Sequence, residues 1–242
     1  MAVFVVAHGA WSAGWAWKKM HPILRARGHS LITPTYTGLG ERSHLARPDI
    51  DLDTHITDIC QVLEFEDLKG IILIGHSYGG MVATGVADRA RARIAKLVYL
   101  DAFAPRDGES VFDLLPPESA AQRRPAAGGD NWRIPPGPMP PDTPEADRAW
   151  CDPRRTPQPL KTFEQKIRLA SEPPMPRHYI YCTRRPPDDR FRRFHERAKA
   201  EGWGSYEIDS SHNPHITNPN ALADLLIAIA KQPTEQSAKQ PA

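Results

Sequence analysis

The hexapeptide Gly75-His76-Ser77-Tyr78-Gly79-Gly80 constrains this chain more than any other stretch. A short apolar run, Gly70-Ile71-Ile72-Leu73-Ile74, leads into it, and Met81 to Ala87 follows with helical character. A strand that turns straight into a helix brings the two backbones close together. Small flanking residues permit that approach, and Gly75, Gly79 and Gly80 are such residues. The serine then sits on a tight, strained turn that lifts its hydroxyl clear of a sheet. The N-terminus of the next helix faces any negative charge that forms beside it.

The rest of the chain falls into line around this turn. Val3–Ala7, His29–Tyr36, Ile71–Ile74, Ala95–Leu100, His178–Cys182 and Ser205–Ile208 read as strands. Helical spacing is expected over Trp15–Arg27, from Asp53 or Thr54 to about Leu68, from the turn to about Arg91, over Asp188–Ala200, and from Asn218 or Asn220 to about Lys231. Strands alternating with helices predict an α/β fold with a mainly parallel, six-stranded sheet. The alternation stops between Pro105 and Pro176, where many of the 25 prolines crowd. That segment also carries Phe112, Trp132, Trp150 and Phe163, which a flexible linker would lack. Residues 106–176 are therefore expected to form a proline-rich cap with short helices at 162–170 and 144–151. The expected core comprises residues 1–105 and 177–231, and residues 232–242 read as a frayed tail.

Several function classes are excluded. The net charge of +2 and scattered Lys and Arg give no nucleic-acid footprint. No run reaches the roughly 20 apolar residues of a membrane span, and Met1–Val6 lacks the basic region of a signal peptide. Cys60, Cys151 and Cys182 show no metal-type spacing. A cytoplasmic protein without metal is expected.

The chemistry starts at Ser77, because a G-x-S-x-G between a strand and a helix is a nucleophile elbow. A serine hydroxyl needs a base within reach and usually an acid to orient that base. His212, in the loop after the last strand, is the expected base. His215 is its weaker rival, His76 should point away from the nucleophile, and His8 should brace the loop after the first strand. The acid is open between Asp101, which ends the strand beside the elbow, and Asp188 or Asp189. Asp101 is favoured: a carboxylate ending so apolar a strand needs a partner once buried, and Asp188 and Asp189 resemble helix N-terminal residues. The backbone N–H groups of Tyr78 and Ala10 are the expected oxyanion donors.

His8-Gly9-Ala10-Trp11 with Gly14-Trp15, the elbow itself, Tyr99-Leu100-Asp101-Ala102-Phe103-Ala104-Pro105, and Ser211-His212 followed by Asn218-Pro219 together resemble the α/β-hydrolase superfamily. They are most similar to the branch of plant hydroxynitrile lyases, plant methylesterases and related bacterial esterases. The resemblance implies an α/β-hydrolase fold with an inserted cap, no cofactor, and Ser77, His212, Ala10 and Tyr78 in the roles above. Plant members carry their acid after the strand matching His178–Cys182, where this chain has Arg184 and Arg185; Asp101 looks like the compensating exchange. The lyases also place threonine and lysine where this chain has Gly9 and Asn213. Ester hydrolysis is thus expected before lyase or carbon–carbon hydrolase chemistry, with a non-catalytic ligand-binding protein as the third reading. The expected partner is a small-molecule ester, and a homodimer is the oligomer considered.

Overall fold

Each strand at the centre of this molecule is apolar on both faces, because both faces are covered. The computed structural model describes residues 1–123, 131–184 and 189–233. In chain order the elements are β1 (Val3–Ala7), α1 (Met20–Ala26), β2 (Ser30–Ile32), α2 (Leu52–Phe65), β3 (Ile71–His76), α3 (Gly79–Arg89) and β4 (Ile94–Leu100). The next stretch holds α4 (Val111–Leu114), α5 (Pro117–Arg123), β5 (Arg133–Ile134), α6 (Glu145–Cys151), β6 (Gln158–Pro159) and α7 (Lys161–Glu164). The chain closes with β7 (Arg177–Cys182), α8 (Arg192–Ala200), β8 (Gly204–Ile208), α9 (Pro214–Thr217) and α10 (Pro219–Lys231).

Six strands form one sheet in the order β2-β1-β3-β4-β7-β8, every pairing parallel. This is the α/β-hydrolase arrangement. Side-chain alternation sorts the core. Val5, Leu73, Leu97 and Tyr99 pack with Ile56 and Ile59 of α2, Met81 and Val82 of α3 and Phe194 of α8. Phe4, Val6, Ile72, Ile74, Val98 and Leu100 pack on the other face with Met20, Leu24, Leu222, Leu226 and Ile229. The chain winds from β1 outward to β2, then returns to β3 on β1's other side. Loops therefore diverge above the carboxyl ends of β1 and β3, and such a crevice is where α/β sheets place ligands.

A lysine ammonium crosses the second apolar face. Lys96 is buried, and its ammonium donates to the carbonyls of Ile229, Ala230 and Gln232 at 2.6, 3.2 and 2.5 Å. A cation on the last carbonyls of α10 satisfies groups that the helix itself leaves unpaired. Gln232 is thus fastened, and its side chain also donates to the Tyr206 hydroxyl at 2.6 Å. Gln232, expected in the tail at 232–242, is therefore held in place; residues 234–242 lie outside the described residues.

Other boundaries moved for local reasons. β2 spans only Ser30–Ile32, because Pro34 has no N–H to continue an edge ladder. The helix expected over 15–27 splits into a 3-10 turn at Gly14–Trp17 and α1, which starts just ahead of Pro22. Asp51 caps α2, in place of Asp53 or Thr54: its carboxylate accepts from the Thr54 N–H at 2.9 Å and closes a capping box. Such a cap contributes about 0.5–2 kcal/mol. The helix expected at 162–170 ends at Glu164 because tertiary bonds take over. Gln165 accepts from the Asp53 N–H and Ile167 donates to the Glu109 carbonyl, each at 2.9 Å. Among the described residues no helix is long and apolar enough to cross a membrane.

Candidate active site

The turn after β3 places Ser77 in the left-handed region, at φ 56°. Its N–H donates to the Leu100 carbonyl at 3.3 Å and its carbonyl accepts from Phe103 N–H at 3.1 Å. Side chains at the glycines would destroy this turn. A Cβ on Gly79 would lie 1.9 Å from the Ala7 carbonyl oxygen, and one on Gly80 would lie 1.8 Å from that of Phe103.

Asp101 ends the neighbouring strand and is also left-handed, at φ 44°. Its carboxylate is wholly buried. One oxygen accepts from the Cys182 N–H at 3.3 Å, and the other lies 2.7 Å from His212 Nδ1. A carboxylate only accepts, so Nδ1 carries the proton and donates it. Nε2 is then the acceptor for the Ser77 hydroxyl, 2.8 Å away. Three side chains from three separate loops thus form one continuous relay, with the His212 side chain 31% exposed at its open end.

Two side chains not expected to touch the relay, His76 and Phe191, support it. His76 Nε2 donates to the His212 carbonyl at 2.8 Å, fixing the backbone that carries the base. Its side chain does leave the nucleophile's face, as expected, but it leaves toward His212. Phe191 stacks flat on the His212 ring, with centroids 5.1 Å apart and planes 7° apart. His215 stacks on Trp17 at 4.5 Å and is buried, away from the hydroxyl's hydrogen-bond partners. Burial pushes His76 down to about 3 and His215 well below the usual imidazole range, so both stay neutral beside His212.

The expected oxyanion donors flank the serine. The loop carrying Ala10 passes the serine so closely that a Cβ on Gly9 would stand 3.2 Å from Ser77 Cβ. His8 fixes this loop. Its Nε2 accepts from the Tyr36 N–H at 3.2 Å, so Nδ1 carries the proton and donates to the Gly9 carbonyl at 2.9 Å. Burial lowers its pKa to about 4 and keeps it neutral. In a trans peptide the carbonyl and the next N–H point opposite ways, so the hold on Gly9 O also sets the direction of Ala10 N–H. Tyr78 N–H follows the serine at the start of α3, and its hydroxyl donates to His55 Nδ1 at 2.9 Å. His55 is free to accept there because its Nε2–H donates to the Thr37 carbonyl at 3.1 Å.

Asp189 sits elsewhere. Its carboxylate accepts from the N–H groups of Phe191 and Arg192 at 3.3 and 3.1 Å and pairs with the Arg192 guanidinium. That is the helix N-terminal role its sequence position suggested. Asp188 lies outside the described residues.

The model of the alpha/beta hydrolase family matches residues 3–225. A carbendazim-hydrolysing esterase of Nocardioides sp. is 40% identical over 241 residues, spanning 95% of this chain and 100% of that protein. An alpha-hydroxynitrile lyase of Arabidopsis thaliana is 29% identical over 103 residues, which are 42% of this chain and 40% of the lyase. Among solved structures, an extracellular alpha/beta-hydrolase of a Paenibacillus species superimposes with a TM-score of 0.80 at 29% identity, covering 94% of this chain and 98% of that one.

Proposed function

We propose, from the premise that this chain belongs to the alpha/beta hydrolase family, that it is a serine carboxylesterase acting on small to medium, partly apolar esters. The observation that carries this reading is the relay Ser77–His212–Asp101, with contacts of 2.8 and 2.7 Å. Ser77 Oγ attacks the ester carbonyl carbon while its proton passes to His212 Nε2. The carbonyl oxygen becomes an anion facing the N–H groups of Ala10 and Tyr78. Among the described residues no other acceptor takes either N–H. Each such donor is worth about 10²–10³ in rate. Collapse breaks the ester C–O bond, and His212 returns the proton to the departing alkoxide. Water, deprotonated by the same imidazole, then attacks the acyl-serine, and the acid leaves. Asp101 keeps the Nδ1 proton in place and offsets the positive charge that His212 carries in both steps.

The segment 106–176 serves as the cap over this site. Phe163 of that segment packs on Tyr78 and on Trp11, with centroids 5.5 and 5.9 Å apart, which supports an apolar acyl or alcohol group. Carbendazim, the compound named for the Nocardioides relative, is a candidate substrate beside simple esters. Cys60, Cys151 and Cys182 form no disulfide, which suits a cytoplasmic setting, and a homodimer is the proposed assembly. Lyase chemistry is disfavoured by Asn213, which supplies no cation beside His212 for a departing anion.

The test is Ser77→Ala. It removes p-nitrophenyl acetate hydrolysis and fluorophosphonate labelling together while the far-UV spectrum is retained. Hydrolysis that survives this substitution rules the reading out, and a wild-type protein that neither labels nor hydrolyses points to a non-catalytic binding protein.

A further inference from the structure

Trp11 follows the oxyanion residue Ala10 and stands in the left-handed region at φ 59°. A tryptophan tolerates that conformation poorly, so something must hold it. Two bonds do, and both come from the segment between β4 and β7. The indole Nε1–H donates to the Ile134 carbonyl at 2.8 Å. The backbone N–H donates at 3.2 Å to the side chain of Gln158, a residue 147 positions away and completely buried.

The Gln158 amide is oriented without ambiguity. Trp11 N–H can only donate, so the atom facing it is Oε1. The Nε2 group then donates to Thr162 Oγ1 at 2.8 Å, and the Thr162 hydroxyl spends its proton on the Pro159 carbonyl at 2.6 Å. Thr162 is fully buried as well. The chain of contacts therefore runs from the peptide after Ala10, through Gln158 and Thr162, to the Pro159 carbonyl. Backbone pairing secures the near end, since Gln158 registers with Ile134 in the β5–β6 ribbon that also holds the indole.

We propose that Gln158 is a positioning residue for the oxyanion site: with His8 on one side of Ala10 and Gln158 on the other, the peptides before and after this residue are both fixed. The inference rests on the esterase reading and deepens it. Gln158 touches no reacting atom. Its effect falls on the orientation of the Ala10 N–H, which matters when charge develops on the carbonyl oxygen and little before that.

Gln158→Met keeps the length and apolar stem of the side chain but removes the acceptor. Expected with p-nitrophenyl acetate is a ~10–100-fold loss of kcat with KM within about threefold of wild type. A trifluoromethyl ketone, which forms a tetrahedral adduct on serine, loses affinity by a similar factor. Thr162→Val, a gentler change that leaves Gln158 in place but unsupported, lowers kcat less and in the same pattern; it also serves if the methionine variant misfolds. Wild-type kcat and ketone affinity in the folded variants, or a change confined to KM or to melting temperature, overturn the proposal while leaving the esterase reading intact. A wild-type protein without esterase activity instead removes the reading on which it rests.

Discussion

Ser77 and Asp101 leave the carboxyl ends of adjacent strands in the same left-handed conformation, at φ 56° and 44°. For a non-glycine residue that conformation costs roughly 1–2 kcal/mol. The sheet imposes it through cross-strand bonds: Ser77 N–H goes to the Leu100 carbonyl, and Asp101 N–H goes to that of Ile180 at 2.8 Å. The same twist at two neighbouring strand ends sends both side chains up above the sheet edge, where His212 comes down between them.

Asp101→Asn is expected to lower kcat by about 10⁴ with the fold intact, because an amide offering N–H to Nδ1 forces the proton onto Nε2 and disables the base. Asp189→Ala is the control. It leaves kcat within about threefold but removes an N-terminal partner of α8, at a cost of roughly 0.5–2 kcal/mol. Steady-state kinetics and thermal melts of both variants separate the two carboxylates. Equal activity in Asp101→Asn and wild type would remove Asp101 from the mechanism.

Gly9→Thr probes the lyase alternative. A Cβ at this position would stand 2.9 Å from His76 Nδ1 and 3.2 Å from Ser77 Cβ, so the loop must shift. Displacement of the neighbouring Ala10 N–H by even part of an ångström should cut ester kcat about tenfold or more. Mandelonitrile cleavage should stay at background, in this variant and in Gly9→Thr combined with Asn213→Lys. Cleavage well above background in either would show that the site is a lyase centre only two residues removed.

Acid should unfold this protein early. His8, His55 and His76 are held neutral by burial, down to about 4, 3 and 3, and His215 is lowered well below its ordinary value. In the unfolded chain all four titrate near 6.5. Below that pH the unfolded state binds protons that the folded state refuses, so stability is intact above about 6.5 and declines as pH falls toward the folded values. Each histidine contributes up to ~1.4 kcal/mol per pH unit in that window. Urea midpoints measured from pH 7 to pH 5 should fall steeply, and His215→Phe should flatten the slope by about one proton. A midpoint that does not change over that range contradicts the neutral cluster.

Much of this was legible in the residues themselves. Ser77 on a glycine-flanked turn and His212 in the loop before the last helix carry strong local signs, and the structure brings the two together. Asp101 was readable by a different route, from an acidic residue ending an apolar strand. His76, Gln158 and Phe191 were not readable as supports of the site. His76 and His212 are 136 positions apart, and Trp11 and Gln158 are 147 apart. No spacing rule connects residues brought together only when the sheet and the segment between β4 and β7 pack. The shifted helix ends have the same origin: Gln165 and Ile167 leave the helical path because partners on other elements claim their polar groups.

The contacts at Gly79 and Gly80 bear on any attempt to redesign this enzyme. With carbonyl oxygens under 2 Å from where a first side-chain carbon would stand, the elbow admits no substitution on either position without moving β1 or the loop after β4. Libraries built there would return mostly insoluble protein. On the proposed reading, useful diversity for a new acyl group or leaving group lies instead at Phe163, which packs on Tyr78 and can change size without displacing the nucleophile.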